Sequence, residues 1–283
     1  MQYLGVITDP AKQSTSPAFQ QAAIDALGLD LVYERWPTEP SGIGTRVTGL
    51  RAPSVLGANV TIPHKETVMP LLDELDPLVQ RVGAVNTILN RDGVLFGYNT
   101  DVEGFLRALR EDGGFDPAGK HVVVAGAGGA ARAVVVALAE AGASSVEVLN
   151  RSLGRAQHLV DDLRVHAGKT RLGASPVTPK SWAKVAASAA LLVNCTSLGS
   201  AGHEEGQSAV PTEVIRPDML VFDLVYRPTE TQLLRDARSR GARTVGGLPM
   251  LIYQGAASFK IWTGRDAPVD VMFAAARKVL GVD

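Results

Sequence analysis

The 283-residue sequence has one cysteine, Cys195. A single thiol excludes an internal disulfide and fits a reducing compartment, so a cytoplasmic setting is expected. There is no surplus of positive charge either: 28 Lys and Arg stand against 29 Asp and Glu, a formal net charge of -1. Neither a nucleic-acid footprint nor a polybasic membrane patch is expected from that balance. The histidines (His64, His121, His158, His166 and His203) show no ligand spacing, so no metal site is expected. The most apolar stretch, 122–149, is broken by Arg132, Glu140 and several glycines, which argues against a membrane span. The opening MQYLGVITDP lacks a basic region followed by a long apolar stretch, so no signal peptide is expected. No internal repeat and no low-complexity tract is evident. What is present in quantity is apolar side chain, 46% of the residues, ample for one large or two medium cores.

The segment 121–152, HVVVAGAGGAARAVVVALAEAGASSVEVLNRS, is the most informative. Val122 to Val124 form a short β-branched run of the kind found in a buried strand. Gly126, Ala127, Gly128, Gly129, Ala130 and Ala131 follow and open an alanine-rich helix to about Ala141, which Gly142 ends. Val146 to Leu149 make a second strand. The spacing is that of a βαβ unit with a G-x-G-x-x-A turn. In such a turn Gly126 permits the tight bend and Gly128 lets the backbone approach a pyrophosphate at the positive helix N-terminus. Ala131 lets helix and strand pack closely. A glycine pattern alone also serves plain packing; the flanking strand, helix and strand favour a dinucleotide site.

The end of the second strand selects the cofactor. A site for NAD places Asp or Glu there to accept hydrogen bonds from the ribose hydroxyls. This chain has Asn150, Arg151, Ser152 and Arg155 instead. Guanidinium groups bind a 2′-phosphate, and a carboxylate would repel it. These residues could be no more than a solvated basic loop; their position after this strand makes NADP the expected cofactor.

The half before the fingerprint also alternates. Strands are read at Tyr3–Ile7, Leu31–Trp36, Leu56–Val60, Ala84–Asn90 and Val94–Tyr98, the last two joined by Arg91-Asp92-Gly93. Helices are read at Pro17–Leu27, closed by Gly28, and at about Val102–Glu111. Beyond the fingerprint, Leu191–Asn194, Leu220–Leu224 and Thr244-Val245 read as strands. Thr229–Arg240, Leu248–Trp262 and Val269–Leu280 read as helices. The expected fold is α/β with two α/β domains. A discontinuous catalytic domain, 1–103 plus 247–283, would wrap a Rossmann NADP-binding domain, 104–246, with the active site in the cleft.

Three polar clusters sit at strand ends: Asn59-Val60-Thr61-Ile62-Pro63-His64-Lys65, Gly83-Ala84-Val85-Asn86-Thr87 and Gly97-Tyr98-Asn99-Thr100-Asp101. Taken singly each has a plain explanation. A lysine after proline is usually a surface charge, Asp101 could cap a helix and Asn86 could cap a turn. Together, beside a dinucleotide fold, they point to one polar pocket. Cys195 follows a strand and is expected to pack near the nicotinamide loop without a nucleophilic role, since no positioned base is evident. His203-Glu204-Glu205-Gly206 reads as a solvated loop near the cofactor cleft.

Over essentially its whole length the chain resembles the shikimate dehydrogenase family. The likeness is carried by Ser14-Thr15-Ser16-Pro17, Asn59-Val60-Thr61 with Pro63 and Lys65, Gly83 to Thr87, and Asn99-Thr100-Asp101. It continues through Gly126 to Arg132, Asn150-Arg151-Ser152, Asn194 with Thr196 and Ser197, Asp223 to Tyr226, and Gly247-Leu248-Pro249-Met250 leading to Gln254. The resemblance implies Lys65 and Asp101 as a catalytic pair and NADP-dependent reduction of 3-dehydroshikimate. It implies Ser14, Ser16 and Tyr226 around the substrate carboxylate, and Thr61, Asn86, Thr100 and Gln254 at the ring hydroxyls. Thr196, Ser197, Leu224, Gly247 and Met250 would complete the cofactor site begun by Gly126 to Ala130 and Asn150 to Arg155. The protein would act on a small molecule as a monomer or homodimer.

The chain departs from the family pattern at three places. Gln13 and Gln20 stand where the family often has histidine, and Tyr98 where it often has aspartate. Both glutamines retain hydrogen-bonding capacity, which reads as tuning or as the mark of a different cyclic substrate such as quinate. A ligand sensor without turnover would be expected to lose Lys65 or Asp101, and both are present.

Overall fold

In the computed structural model, which describes residues 1–11, 13–202 and 204–282, the chain divides into two compact units. The first comprises Met1–Gly104 and Ile252–Asp283, the second Phe105–Leu251. His203 lies outside the described residues.

The first unit begins with β1 (Gln2–Thr8), α1 (Ser16–Ala26), β2 (Leu31–Pro37), α2 (Ile43–Gly49) and β3 (Val55–Val60). It continues through β4 (Glu74–Leu75), α3 (Pro77–Val82), β5 (Thr87–Arg91), β6 (Val94–Tyr98) and α4 (Asp101–Glu111), which runs on into the second unit. Its sheet has the order β2-β1-β3-β5-β6-β4. β1 pairs in parallel with β2 and β3, whereas β5 is antiparallel to both β3 and β6. The β5–β6 turn needs only Asp92 and Gly93, both at positive φ (54° and 86°), the backbone that matches a two-residue hairpin to strand twist. One face of the sheet buries Ile7, Ala58, Val60, Ile88 and Leu95 against Val47, Leu50, Val68 and Val79.

The second unit contains β7 (His121–Ala125), α5 (Gly129–Glu140), β8 (Ser145–Asn150), α6 (Leu153–Arg164), β9 (Arg171–Pro176) and α7 (Pro179–Ala186). It is completed by β10 (Leu191–Asn194), β11 (Leu220–Asp223), α8 (Gln232–Ser239) and β12 (Arg243–Val245). The strands are all parallel, in the order β12-β11-β10-β7-β8-β9. That is the doubly wound arrangement, whose order reverses between β7 and β10. Val122, Val123 and Val124 are all buried, because a parallel sheet covered on both faces needs a continuous apolar run.

The chain returns to the first unit within α9 (Leu248–Thr263) and ends in α10 (Val269–Leu280), which packs on α1. Gly247 and the first turn of α9, with Met250, group with the second unit.

Three element readings are corrected. The helix read from Thr229 starts at Gln232, because the Thr231 hydroxyl caps it, accepting from the Leu234 amide at 3.3 Å. The strand read from Ala84 starts at Thr87, since the backbone before it is taken up by the Lys65 carbonyl, which accepts from the Val85 amide. The strand read through Leu224 ends at Asp223.

Candidate functional site

In the first unit, the polar clusters leave one edge of the sheet. β1, β3 and β6 present their carboxyl ends there and the antiparallel β5 its amino end. After β1 come Ser14 and Ser16, after β3 Thr61 and Lys65, before β5 Asn86, and after β6 Thr100 and Asp101. Strand direction therefore gathers residues that are far apart in sequence.

The centre of this group is an ion pair. Lys65 Nζ lies 2.5 Å from Asp101 Oδ2, with the lysine side chain only 14% exposed and the aspartate 5%. The other carboxylate oxygen, Oδ1, accepts from Asn86 Nδ2 at 2.9 Å. Asn86 Nδ2 also reaches Thr100 Oγ1 (2.8 Å) and Gln254 Oε1 (3.2 Å) from α9. Lys65, Asp101, Asn86, Thr100 and Gln254 thus form one hydrogen-bonded group. Lys65 is not a plain surface charge. Asp101 is not the helix cap, since both its oxygens are engaged and Asn99 Oδ1 accepts from the Asp101 amide instead. Nor does Asn86 cap a turn. An ammonium held by a largely buried carboxylate, with amides and hydroxyls beside it, is suited to give or take a proton at an oxygen of a neutral, hydroxylated ligand.

The remaining residues of this unit make local contacts of their own. Ser14 Oγ accepts from the Ser16 amide at 3.2 Å just ahead of α1, and Ser16 is buried. The Thr61 amide donates to the Ile7 carbonyl at 3.0 Å, which ties the exit of β3 to the end of β1. Tyr226 belongs to the second unit. Gln20 is engaged at one end of its amide only, its buried Oε1 having no hydrogen-bond partner among the described residues. It is fully buried and its Nε2 donates to the Gly255 carbonyl at 2.9 Å, joining α1 to α9. Gln13 is exposed and Tyr98 half-buried, with the Tyr98 carbonyl accepting from the Asn86 amide. His64 is a satisfied core histidine: it is buried and its Nε2 lies 2.8 Å from the Thr38 carbonyl. Among the described residues, no cluster of His, Cys, Asp and Glu could hold a metal ion.

In the second unit, the candidate cofactor residues all follow carboxyl ends of parallel strands. Gly126–Ala130 follow β7, Asn150–Arg155 end and follow β8, Thr196 and Ser197 follow β10 and Leu224 follows β11. That edge, at the strand-order reversal, is where doubly wound sheets bind ligands. Gly126 has φ +110°, a conformation open to glycine, and a Cβ there would meet the Cys195 carbonyl carbon at 3.1 Å. Gly128 caps α5 with extended backbone, and a Cβ there would meet nothing within 4 Å. The turn is therefore tight on the protein side at Gly126 and open at Gly128, as a pyrophosphate cradle requires. Arg151, Ser152 and Arg155 are exposed, and Ser152 Oγ caps α6 by accepting from the Arg155 amide, which leaves its proton to donate. Asn150 Nδ2 donates to the Ser152 carbonyl at 3.0 Å and shapes that loop. These residues fit a 2′-phosphorylated dinucleotide.

Asn194 Oδ1 accepts from the Thr196 amide (3.0 Å) and hydroxyl (2.7 Å), which fixes the turn after β10. The Ser197 carbonyl accepts from the Ser200 amide and hydroxyl, and the Leu224 amide donates to the Asn194 carbonyl. Gly247 is pressed on the Leu224–Val225 backbone, where a Cβ would fall 2.2 Å from the Leu224 carbonyl oxygen. Met250 is buried. Burial, and after it the charge of Asp223, push the Cys195 thiol well above its ordinary range, so it is a poor nucleophile.

Sequence reasoning passed over Tyr33, Ser258 and Thr231, and named Thr87 only as the last member of the Gly83–Thr87 cluster. Tyr33, Thr87 and Ser258 join the buried group around Asn86, and Thr231 donates to Asp223 at 2.6 Å. Ser258 was open to detection, because it lies one helical turn beyond Gln254 on the same face of α9.

Comparison with known proteins agrees with this architecture. The family model for the shikimate dehydrogenase substrate binding domain matches residues 6–88. That for shikimate / quinate 5-dehydrogenase matches 110–176, and that for the shikimate 5'-dehydrogenase C-terminal domain matches 247–277. Shikimate dehydrogenase (NADP(+)) of Moorella thermoacetica is 46% identical over 98% of this chain and 93% of its own. The crystal structure of shikimate 5-dehydrogenase from Thermus thermophilus in complex with NADP(H) and shikimate superposes with a TM-score of 0.86 at 40% identity, covering 98% of this chain and 99% of that one. Quinate dehydrogenase from Corynebacterium glutamicum in complex with NAD gives a TM-score of 0.88 at 32% identity, over 97% and 98% of the two chains. With matches of this identity over nearly its full length, the chain belongs to the shikimate dehydrogenase family.

Proposed function

We infer that this protein is an oxidoreductase that uses NADP(H) for the reversible reduction of 3-dehydroshikimate to shikimate. The observation that carries the reading is the Lys65–Asp101 pair at the sheet edge of the first unit, in a chain whose second unit is a doubly wound sheet with an arginine loop after β8. The identity to NADP-dependent relatives supports the choice of cofactor.

NADPH, when bound, supplies the hydride for the ring carbonyl. Gly126 to Ala130 would hold its pyrophosphate, Arg151, Ser152 and Arg155 its 2′-phosphate, and Asn150, Thr196, Ser197, Leu224, Gly247 and Met250 would shape the rest of the site. Lys65, as the ammonium, stabilises negative charge developing on the carbonyl oxygen and donates the proton to it; in the oxidative direction it takes that proton back as the amine. Asp101 holds the lysine in place. Asn86, Thr100, Gln254 and Thr61 offer amide and hydroxyl groups to the ring hydroxyls. Ser14 and Ser16 offer hydroxyls to the carboxylate.

Quinate is the competing substrate. It carries an extra hydroxyl on a tetrahedral carbon bearing the carboxylate, so its carboxylate leaves the ring plane. The Ser14–Ser16 segment is braced by its internal hydrogen bond and by Pro17, and a fixed segment suits one carboxylate angle. Following the nicotinamide absorbance with NADP and either substrate tests the reading. We expect kcat/KM for shikimate to exceed that for quinate by about tenfold or more, the scale of one mismatched polar group. An equal or higher value for quinate would transfer the assignment to it.

A further inference from the structure

A chain of buried hydrogen bonds runs from β2 to the ion pair. The Tyr33 hydroxyl donates to Asn59 Oδ1 at 2.7 Å, and both residues are buried. With its oxygen so engaged, Asn59 turns its Nδ2 the other way, onto Ser258 Oγ (3.0 Å), the Asn86 carbonyl (3.1 Å) and Thr87 Oγ1 (3.3 Å). Ser258 and Thr87, each fully buried, receive an N–H from Asn59 and pass their own protons onward. Thr87 donates to Asn86 Oδ1 at 2.9 Å, and Ser258, whose Oγ lies 2.7 Å from Thr87 Oγ1 and 3.0 Å from the Gln254 carbonyl, has its one proton for the Thr87 hydroxyl, which would otherwise face it oxygen to oxygen. Asn86 Oδ1 also accepts from the Thr100 amide at 2.8 Å. Since its oxygen faces donors, Asn86 points Nδ2 at Asp101 Oδ1 and Gln254 Oε1.

The direction of each bond in this chain depends on the one before. An amide has a different group at each end of its fork, and a rotated Asn59 would set its oxygen against the Asn86 carbonyl and withdraw the N–H from Ser258 and Thr87. Burial holds the Tyr33 phenol well above its ordinary range, so it remains a donor wherever the protein is folded. Its ring packs on Trp262 at 6.1 Å between centroids, and the Trp262 indole donates to the Ile88 carbonyl at 2.9 Å, so the phenol is held from both ends.

We propose that Tyr33 is a positioning residue for the Lys65–Asp101 pair, acting through Asn59, Thr87 with Ser258, and Asn86. The inference rests on the assignment of Lys65 and Asp101 as the proton-transfer pair for shikimate. It extends the functional machinery to a residue that touches neither the ion pair nor, on that assignment, the substrate.

Tyr33→Phe keeps the ring and removes the donor. In the full-length protein it lowers kcat for shikimate about tenfold, the scale of one misdirected buried hydrogen bond. It leaves the dissociation constant for NADPH, read by its fluorescence, unchanged. In an Asn86→Ala background the same substitution costs nothing more, because the link it acts through is gone. Independently of turnover, hydrogen exchange of the Thr100 amide, which donates to Asn86 Oδ1, is at least several-fold faster in Tyr33→Phe. Unchanged kcat, unchanged Thr100 exchange or a full tenfold loss on top of Asn86→Ala each overturns the proposal. A wild-type protein inert toward shikimate would instead sink the functional reading, and the exchange measurement then decides the network alone.

Discussion

Asn194 donates its side-chain amide to the Asp223 carboxylate at 2.8 Å, between the last residues of β10 and β11, which are register partners. The carboxylate also accepts from the Val225 amide (3.1 Å) and the Thr231 hydroxyl (2.6 Å), and Asp223 is 1% exposed. Burial raises its pKa above the ordinary carboxylate value, with the three hydrogen bonds opposing that shift. The folded state thus holds a proton in a window, from the ordinary carboxylate pKa up to the raised one, where the unfolded chain has lost it. Stability contributed by this group is present below that window and declines as pH rises through it. Asp223→Asn abolishes that part of the pH dependence, which urea unfolding across mildly acidic pH would show as a flatter curve. Asp223→Ala strands the Asn194 and Thr231 donors and costs about 3 kcal/mol at neutral pH. A flat wild-type difference curve, or an alanine variant as stable as the asparagine one, contradicts this account.

The arginine loop after β8 bears on cofactor choice. Arg151 and Arg155 are exposed near the amino end of α6, and Ser152 caps that helix. Arg151→Ala is expected to weaken NADPH binding by about 1.5–3 kcal/mol, the loss of a charged hydrogen-bond pair to a phosphate. Binding of NADH, which lacks the 2′-phosphate, stays within a factor of about two by the same reasoning. Fluorescence titration with the two cofactors separates these outcomes. Equal losses for both would place the 2′-phosphate elsewhere.

Lys65 and Asp101 are expected to act as one unit. Lys65→Ala lowers kcat by about 10²–10⁴, the usual contribution of a general acid–base group, with a smaller change in KM for shikimate. Asp101→Ala removes the lysine's partner at 2.5 Å and loses rate as well. The double variant is little slower than the slower single one, since each loss removes the same function. Steady-state kinetics on the four proteins gives the answer, and multiplicative losses would separate the two residues.

Legibility in the sequence followed the strength of local signals. The β7–α5–β8 unit could be read because a β-branched run, a glycine turn and an alanine-rich helix succeed one another without interruption. β9 went unread because Arg171–Pro176 contains no β-branched residue and forms a partly exposed edge strand, where packing on one neighbour supplies what propensity does not. α3 and α7 were marked by Asp76-Pro77 and Thr178-Pro179, capping residues followed by proline, but at six and eight residues they are too short for apolar periodicity to speak. At the site, residue types at strand ends singled out Lys65, Asn86 and Asp101. Their distances are tertiary, set by the antiparallel insertion of β5 between β3 and β6. Tyr33 was silent for a related reason: a tyrosine in a strand is an ordinary packing residue until its buried hydroxyl has a named partner.

The two glycines of the β7–α5 turn should separate folding from binding. At Gly126 an added Cβ meets the Cys195 backbone and the Thr196 methyl group within about the closest approach real side chains tolerate, and φ is +110°. Gly126→Ala is therefore expected to lose stability, by about 1–3 kcal/mol for the strained backbone. At Gly128 the backbone is extended and no protein atom lies within 4 Å of the added carbon. Gly128→Ala is expected to change the unfolding free energy by less than about 0.5 kcal/mol, as for surface substitutions elsewhere. The same methyl group occupies the space through which a pyrophosphate would approach the amides of the first turn of α5, so NADPH affinity falls at least about tenfold, one displaced charge-assisted hydrogen bond. Shikimate affinity, measured without cofactor, remains at the wild-type value because none of its proposed contacts lies in this turn. Urea denaturation and calorimetric titration on the same preparations provide both readings. A Gly128→Ala protein that binds NADPH normally would remove the pyrophosphate from this turn, and one that is destabilised as much as Gly126→Ala would show that the open space above Gly128 belongs to the fold.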